Sequence, residues 1–233
     1  MKTYVNEVFS SIQGEGRLLG RRQIFIRFSG CNLDCNYCDT PESKNPEYGE
    51  FLSTTELSEK VDQLTTPDLH SLSLTGGEPL LHADFIKEFL EIYQKDSLLE
   101  TNGSLPAELK KIISLICYAS VDIKLPEHTA CPDWNVLMDR ELESINLLIK
   151  EGINTYCKLV VFPTTKMDTI VFIASKIAKE VYNHSELSLI IQPASPLDKW
   201  ENHQYKLLEI SEKTGRYLDV LVIPQIHKIL KIR

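Results

Sequence analysis

Three of the chain's six cysteines crowd into eight positions, Cys31-Asn-Leu-Asp-Cys35-Asn-Tyr-Cys38, directly after the β-rich run at residues 24–28. Outside oxidising compartments, cysteines at such spacing bind metals or react more often than they pair. Three thiolates can hold three irons of a 4Fe-4S cluster, whereas a simple electron carrier supplies four. The fourth iron is then left open, the same logic that separates catalytic from structural zinc sites. A zinc ion completed by a distant Cys or His fits this spacing too, and stands as the alternative. The other cysteines suggest no second cluster. Cys131 lies in a loop, while Cys117 in an apolar run and Cys157 in a strand read as buried core thiols.

A second motif, Thr75-Gly76-Gly77-Glu78-Pro79, ends the next β-rich run and faces the cysteine loop. Paired glycines let backbone come close to a ligand, and Glu78 can accept from an ammonium group. Alone, the motif reads as a strand-to-helix turn. Beside the cysteines it favours the cluster over zinc. An open iron can chelate the amino and carboxylate groups of S-adenosylmethionine, and reduction there would release a 5′-deoxyadenosyl radical. More polar groups end later strands: Glu100-Thr101-Asn102-Gly103, Asp122 with Lys124, Gln192-Pro193-Ala194-Ser195, and Pro224-Gln225-Ile226-His227.

The elements that must carry these groups alternate. Strands are predicted over residues 4–9, 24–28, 71–75, 98–101, 119–124, 156–162, 189–192 and 219–223, and helices over 54–64, 83–94, 106–115, 137–150, 166–182 and 202–214. Ser53-Thr54-Thr55-Glu56 fits a capping box, and Gly152 and Gly215 mark helix ends. Such alternation gives a parallel sheet with right-handed crossovers. Ile24, Ile26 and Phe28 share one face, while Phe25, Arg27 and Ser29 share the other; Ser73 and Thr75, and Ser120, Asp122 and Lys124, repeat the polar side. One apolar face and one partly polar face predict an α/β fold with a lumen, a partial (β/α)6-type TIM barrel, whose site lies at the strand C-termini. Residues 1–233 read as a single domain, without repeats or linkers.

A net charge of -8 without a basic cluster argues against a nucleic-acid partner. No apolar run is long enough to span a bilayer, and the first residues lack a secretory h-region, so no membrane association and a cytoplasmic location are expected.

The CxxxCxxC loop with GGEP resembles the radical S-adenosylmethionine (radical SAM) superfamily. The segment Glu7 to Gly16 (EVFSSIQGEG), the segment Phe25 to Asn32 (FIRFSGCN) and Cys38-Asp39-Thr40 resemble, more narrowly, the 7-carboxy-7-deazaguanine synthase family, as does the PQ-x-H element ending in His227. That resemblance spans nearly the whole chain and is weakest at 127–138. It implies a radical SAM core and a 4Fe-4S cluster on Cys31, Cys35 and Cys38. S-adenosylmethionine would rest on Tyr37, Asp39, Gly76, Gly77, Glu78, Asp122, Lys124, Gln192, Pro193, Ala194 and Ser195, with Mg2+ at Thr40. A small pterin, 6-carboxy-5,6,7,8-tetrahydropterin, would lie against Ile12, Gln13, Gly14, Glu15, Arg27, Thr75 and His227, and become 7-carboxy-7-deazaguanine with loss of ammonia. No catalytic side chain is implied beyond cluster and cosubstrate. The family also implies a homodimer and a flavodoxin or ferredoxin electron donor.

Arg27 suits the substrate carboxylate, since a guanidinium offers a planar two-pronged donor. Two features depart from the family. Asp122-Ile123-Lys124 stands where Ser-Pro-Lys is common, a form resembling glycyl-radical activating enzymes, and the chain runs on past His227 to Arg233. A glycyl-radical activating enzyme and a zinc-stabilised binding module are therefore the competing readings.

Overall fold

The computed structural model describes residues 1–233. Its elements, in chain order, are β1 (Lys2–Ile12), β2 (Arg22–Phe28), β3 (Glu50–Ser53), α1 (Thr54–Leu64), β4 (Ser71–Gly76), α2 (Ala83–Ile92), β5 (Ser97–Thr101), α3 (Pro106–Leu109), β6 (Tyr118–Ile123), α4 (Trp134–Lys150), β7 (Asn154–Val161), α5 (Met167–Glu180), β8 (Ser188–Pro193), α6 (Gln204–Thr214), β9 (Asp219–Val222) and α7 (Ile226–Leu230). One nine-stranded sheet runs in the order β3-β1-β2-β4-β5-β6-β7-β8-β9. From β2 to β9 every neighbouring pair is parallel, whereas β1 runs antiparallel to both β2 and β3. The sheet does not close, so β3 and β9 are free edges, and the partial barrel expected from the strand faces is what forms.

Face alternation explains the layers. Ile24, Ile26 and Phe28 on β2, Leu72 and Leu74 on β4, and Ala119, Val121 and Ile123 on β6 are fully buried towards the helices. Helix α2 adds Phe85, Ile86, Phe89 and Leu90 to the same core, and α4 packs on β6; burying each such side chain contributes about 1.5–3 kcal/mol. The lumen face of the same strands carries Arg27, Ser73, Thr75, Ser120 and Asp122.

Helix α1 starts as its sequence dictates: Ser53 and Glu56 form a reciprocal capping box. Helix α4 is capped by Asp133, which accepts from the Asn135 and Val136 N–H groups. Two expectations need correction. The helix expected over 106–115 ends at Leu109 and resumes only as a 3-10 turn at Ile113–Leu115. Cys117 is exposed, because it precedes β6 rather than lying within it, while Cys157 is buried on the helix face of β7. Strand β3 adds an element that the sequence does not announce, since its four residues beside a turn-rich loop are too few for a period to be read. No helix is long and apolar enough to cross a membrane.

Candidate active site

The C-terminal ends of the parallel strands surround a cavity of ≈ 1010 Å³. Cys31, Cys35 and Cys38 all line it, as free, half-buried thiols. Their loop is held from both sides. The Asp34 N–H donates to the Ala130 carbonyl at 2.9 Å and the Asn36 N–H to the His128 carbonyl at 3.1 Å, while the Glu78 N–H donates to the Gly30 carbonyl at 2.9 Å. Burial pushes the Cys31 and Cys35 thiols above their ordinary range, and Lys124 pulls both back. Three free thiols, with no fourth cysteine, line the cavity, the donor set of a cluster with one open iron.

On the cosubstrate side, the Lys124 ammonium donates to the Tyr37 hydroxyl at 3.1 Å and lies 3.5 Å from Asp122 Oδ2. Burial pushes the Tyr37 phenol up to about 12. The neighbouring carboxylate and phenol oxygens outweigh burial at Lys124 and hold its ammonium well above the usual lysine range. Tyr37 packs edge-on against His128 and Phe162 at 4.4 and 5.9 Å between ring centres. Gly76, Gly77, Asp39, Gln192, Ala194 and Ser195 also line the cavity, as expected.

Glu78 and Pro193 do not. Glu78 is fully buried behind the wall, accepting from the Leu80 N–H at 3.0 Å, the Thr101 hydroxyl at 2.7 Å and the Asn102 N–H at 2.8 Å. Burial raises its carboxyl to about 7. Those bonds cap the turn after β4 and fix the end of β5. Pro193 alternates away from Gln192 and Ala194, so its ring faces the helix layer.

On the other side, Ile12, Gln13, Gly14, Glu15, Arg27, Thr75 and His227 all line the same cavity. Arg27 keeps its Nε–H on Glu7 at 2.8 Å. Phe9 and Phe25 stack with centres 5.0 Å apart and make an aromatic wall. The Gln13 amide is already used, donating to Gln23 and to Glu100, each at 2.9 Å, so it supports the floor. Glu100 also accepts from Ser73 at 2.8 Å. Gly14 leaves no room for a side chain, because His227 packs against it. Burial lowers the His227 pKa. Thr40 lines the cavity with its hydroxyl 3.3 Å from Ser43 Oγ, an oxygen donor of the kind Mg2+ takes alongside waters.

Lys158, Glu100, Gln225, Glu7 and Arg233 also line the cavity, beyond the residues the sequence singled out for binding. Lys158 lies within a run read as one apolar strand, and its lumen direction could be recognised only by alternation with Tyr156 and Val160. The residues after β9 form α7 and return to the cavity at Arg233, which pairs with Glu7 and sits 4.8 Å over the Phe9 ring.

Residues 25–177 match the model of the radical SAM superfamily. The chain is 51% identical to the 7-carboxy-7-deazaguanine synthase of Methanothermobacter thermautotrophicus over 100% of this chain and 99% of that one. It is 36% identical to that of Geobacter sulfurreducens, covering 97% and 96%. The crystal structure of QueE from Escherichia coli superposes with a TM-score of 0.62 at 19% identity, covering 95% of this chain and 94% of that one, a likeness of fold. With an unclosed parallel barrel and three thiols at its mouth, the chain belongs to the radical SAM superfamily. Within that class, it belongs to the 7-carboxy-7-deazaguanine synthase family. The family carries a 4Fe-4S cluster and S-adenosylmethionine, and needs a reductant. Membership removes the grounds for the activating-enzyme and zinc-module readings.

Proposed function

We propose that this chain converts 6-carboxy-5,6,7,8-tetrahydropterin to 7-carboxy-7-deazaguanine with loss of ammonia, the step that feeds queuosine or archaeosine. The observation that carries the reading is that three free thiols and the Arg27 guanidinium face one cavity large enough for two ligands. Substrate and product differ by ammonia alone, so the conversion involves no net oxidation.

Cys31, Cys35 and Cys38 would hold the 4Fe-4S cluster, which would supply the electron for reductive cleavage of S-adenosylmethionine. Tyr37, Asp39, Asp122, Lys124, Gln192, Ala194 and Ser195 line the adenosyl side. Opposite them, the free nitrogens of Arg27 take the substrate carboxylate and the Phe9–Phe25 wall flanks the ring system. Gln13, Gly14 and Glu15 border its edge, with Thr75 and His227 closing the pocket. Thr40 would give Mg2+ one oxygen, the rest coming from substrate and water. The side chains bind, orient and exclude water, while the radical chemistry would come from cluster and cosubstrate.

The reading extends to one domain over 1–233 and a cytoplasmic location, and, on the family resemblance, to a homodimer with flavodoxin or ferredoxin as reductant. Iron and sulfide analysis tests the cofactor part. Anaerobically reconstituted protein should be brown, with iron and acid-labile sulfide in equal amounts. A colourless protein carrying zinc contradicts it.

A further inference from the structure

Lys158 projects from β7 directly opposite Asp122 of β6 in the parallel register. Its side chain is 9% exposed, and its ammonium lies 3.2 Å from Asp122 Oδ1 and 2.5 Å from Glu15 Oε2. In the reading proposed above, Glu15 borders the pterin and Asp122 the adenosyl cosubstrate. Glu15 stands in the loop after β1, where its other oxygen accepts from the Gln225 amide at 2.7 Å. Asp122 stands at the end of β6, and through Lys124 it reaches Tyr37 in the cysteine loop. Its Oδ1 is buried against the Lys158 ammonium with no aligned hydrogen bond. Both carboxylates would be expensive to bury without a shared cation.

We infer that Lys158 is a positioning residue that couples the two ligand subsites, one buried ammonium orienting Glu15 towards the pterin and Asp122 towards the adenosyl cosubstrate. This rests on the reading of the cavity proposed above. It gives Asp122 a role as the counter-charge of Lys158 and Lys124. It also gives the cavity a route by which filling one subsite stiffens the other, since a carboxylate that turns to a ligand changes what the shared ammonium gives its partner.

The test is binding without turnover. Calorimetric titrations of S-adenosylmethionine and of 6-carboxytetrahydropterin, each alone, are made on reconstituted, oxidised enzyme, for the wild type and for Glu15→Gln, Asp122→Asn, Lys158→Met and Lys158→Arg. Thermal unfolding of each variant reports the fold. The inference predicts cross-effects. Glu15→Gln weakens S-adenosylmethionine, and Asp122→Asn weakens the pterin, each by about three- to tenfold, because coupled neighbours are not additive. Lys158→Met weakens both ligands by about tenfold or more, Lys158→Arg restores part of each, and the cross-effects vanish in the Lys158→Met background. Should Lys158→Met fail to fold, the cross-effects of the two carboxylate variants still decide. The inference is overturned if each carboxylate variant affects only its own side's ligand, or if a folded Lys158→Met binds both ligands as the wild type does. A folded wild type that carries its cluster and binds neither ligand overturns the function reading, and this inference with it.

Discussion

Glu7 and Arg27 face each other across β1 and β2, and the Glu7 carboxylate takes the Arg27 Nε–H at 2.8 Å. That contact uses the one nitrogen that a two-pronged grip does not need, and leaves both terminal nitrogens for an anion in the cavity. At Lys158 on β7 the order is reversed, one ammonium lying between the carboxylates of Glu15 and Asp122.

Arg27→Lys keeps the charge but loses the fork. It is expected to raise the KM for 6-carboxytetrahydropterin about tenfold with a smaller change in kcat, the pattern of lost ground-state binding. Glu7→Gln, which keeps a hydrogen-bond acceptor but weakens the hold on Nε, should raise KM less. Steady-state kinetics at saturating S-adenosylmethionine decide it. An Arg27→Lys enzyme with wild-type KM would mean that another group meets the carboxylate.

Gly77 has no space for a side chain: a Cβ there would overlap the Gly30 carbonyl and lie 2.9 Å from Cys31 Cβ. Gly77→Ala should therefore push the cysteine loop out of place. Reconstituted protein is expected to retain well under half the wild-type iron, and turnover should fall on the order of a hundredfold, since displacements near 1 Å cost that much. Wild-type iron content in the variant would show that the loop yields freely.

His128 supplies a pH test of stability. Its Nδ1 accepts from the Leu125 N–H at 3.0 Å and its Nε2 lies 3.1 Å from the Val160 carbonyl, an arrangement that needs the neutral ring. Burial first, and then Lys124, lowers its pKa to about 3 from 6.5. The unfolded chain takes up a proton below 6.5 and the folded one does not, so this contribution is complete above 6.5 and is lost as pH falls towards 3. The span is worth at most about 5 kcal/mol. Urea denaturation between pH 7.5 and 5 should show wild-type stability falling more steeply than that of His128→Gln. Parallel curves would contradict the assignment of a buried neutral ring.

Much of this architecture is legible in the amino-acid sequence alone. The capping box at Ser53 and Glu56, the apolar and polar faces of β2, β4 and β6, and the cysteine loop at a strand end each follow from short-range spacing. What spacing does not reveal depends on relationships between distant residues. Glu78 sits in a motif that borders the cavity, yet the Thr101 hydroxyl and the Asn102 N–H turn its carboxylate inward. Asp122 ends β6 as a carboxylate, and Lys158, one strand away, supplies its counter-charge. The stretch 127–138, where the resemblance is thinnest, provides the Ala130 carbonyl that pins the cysteine loop, through backbone that no side-chain pattern reports. The residues after His227 carry no signal for their return to Glu7.

The most direct measurement is mass spectrometry of an anaerobic reaction containing reconstituted enzyme, S-adenosylmethionine, dithionite, Mg2+ and 6-carboxy-5,6,7,8-tetrahydropterin, with Cys35→Ala as control. The account predicts 7-carboxy-7-deazaguanine and ammonium in equal amounts from the wild type and none from the control. Release of 5′-deoxyadenosine without 7-carboxy-7-deazaguanine, or product from the Cys35→Ala protein at the wild-type rate, would contradict it.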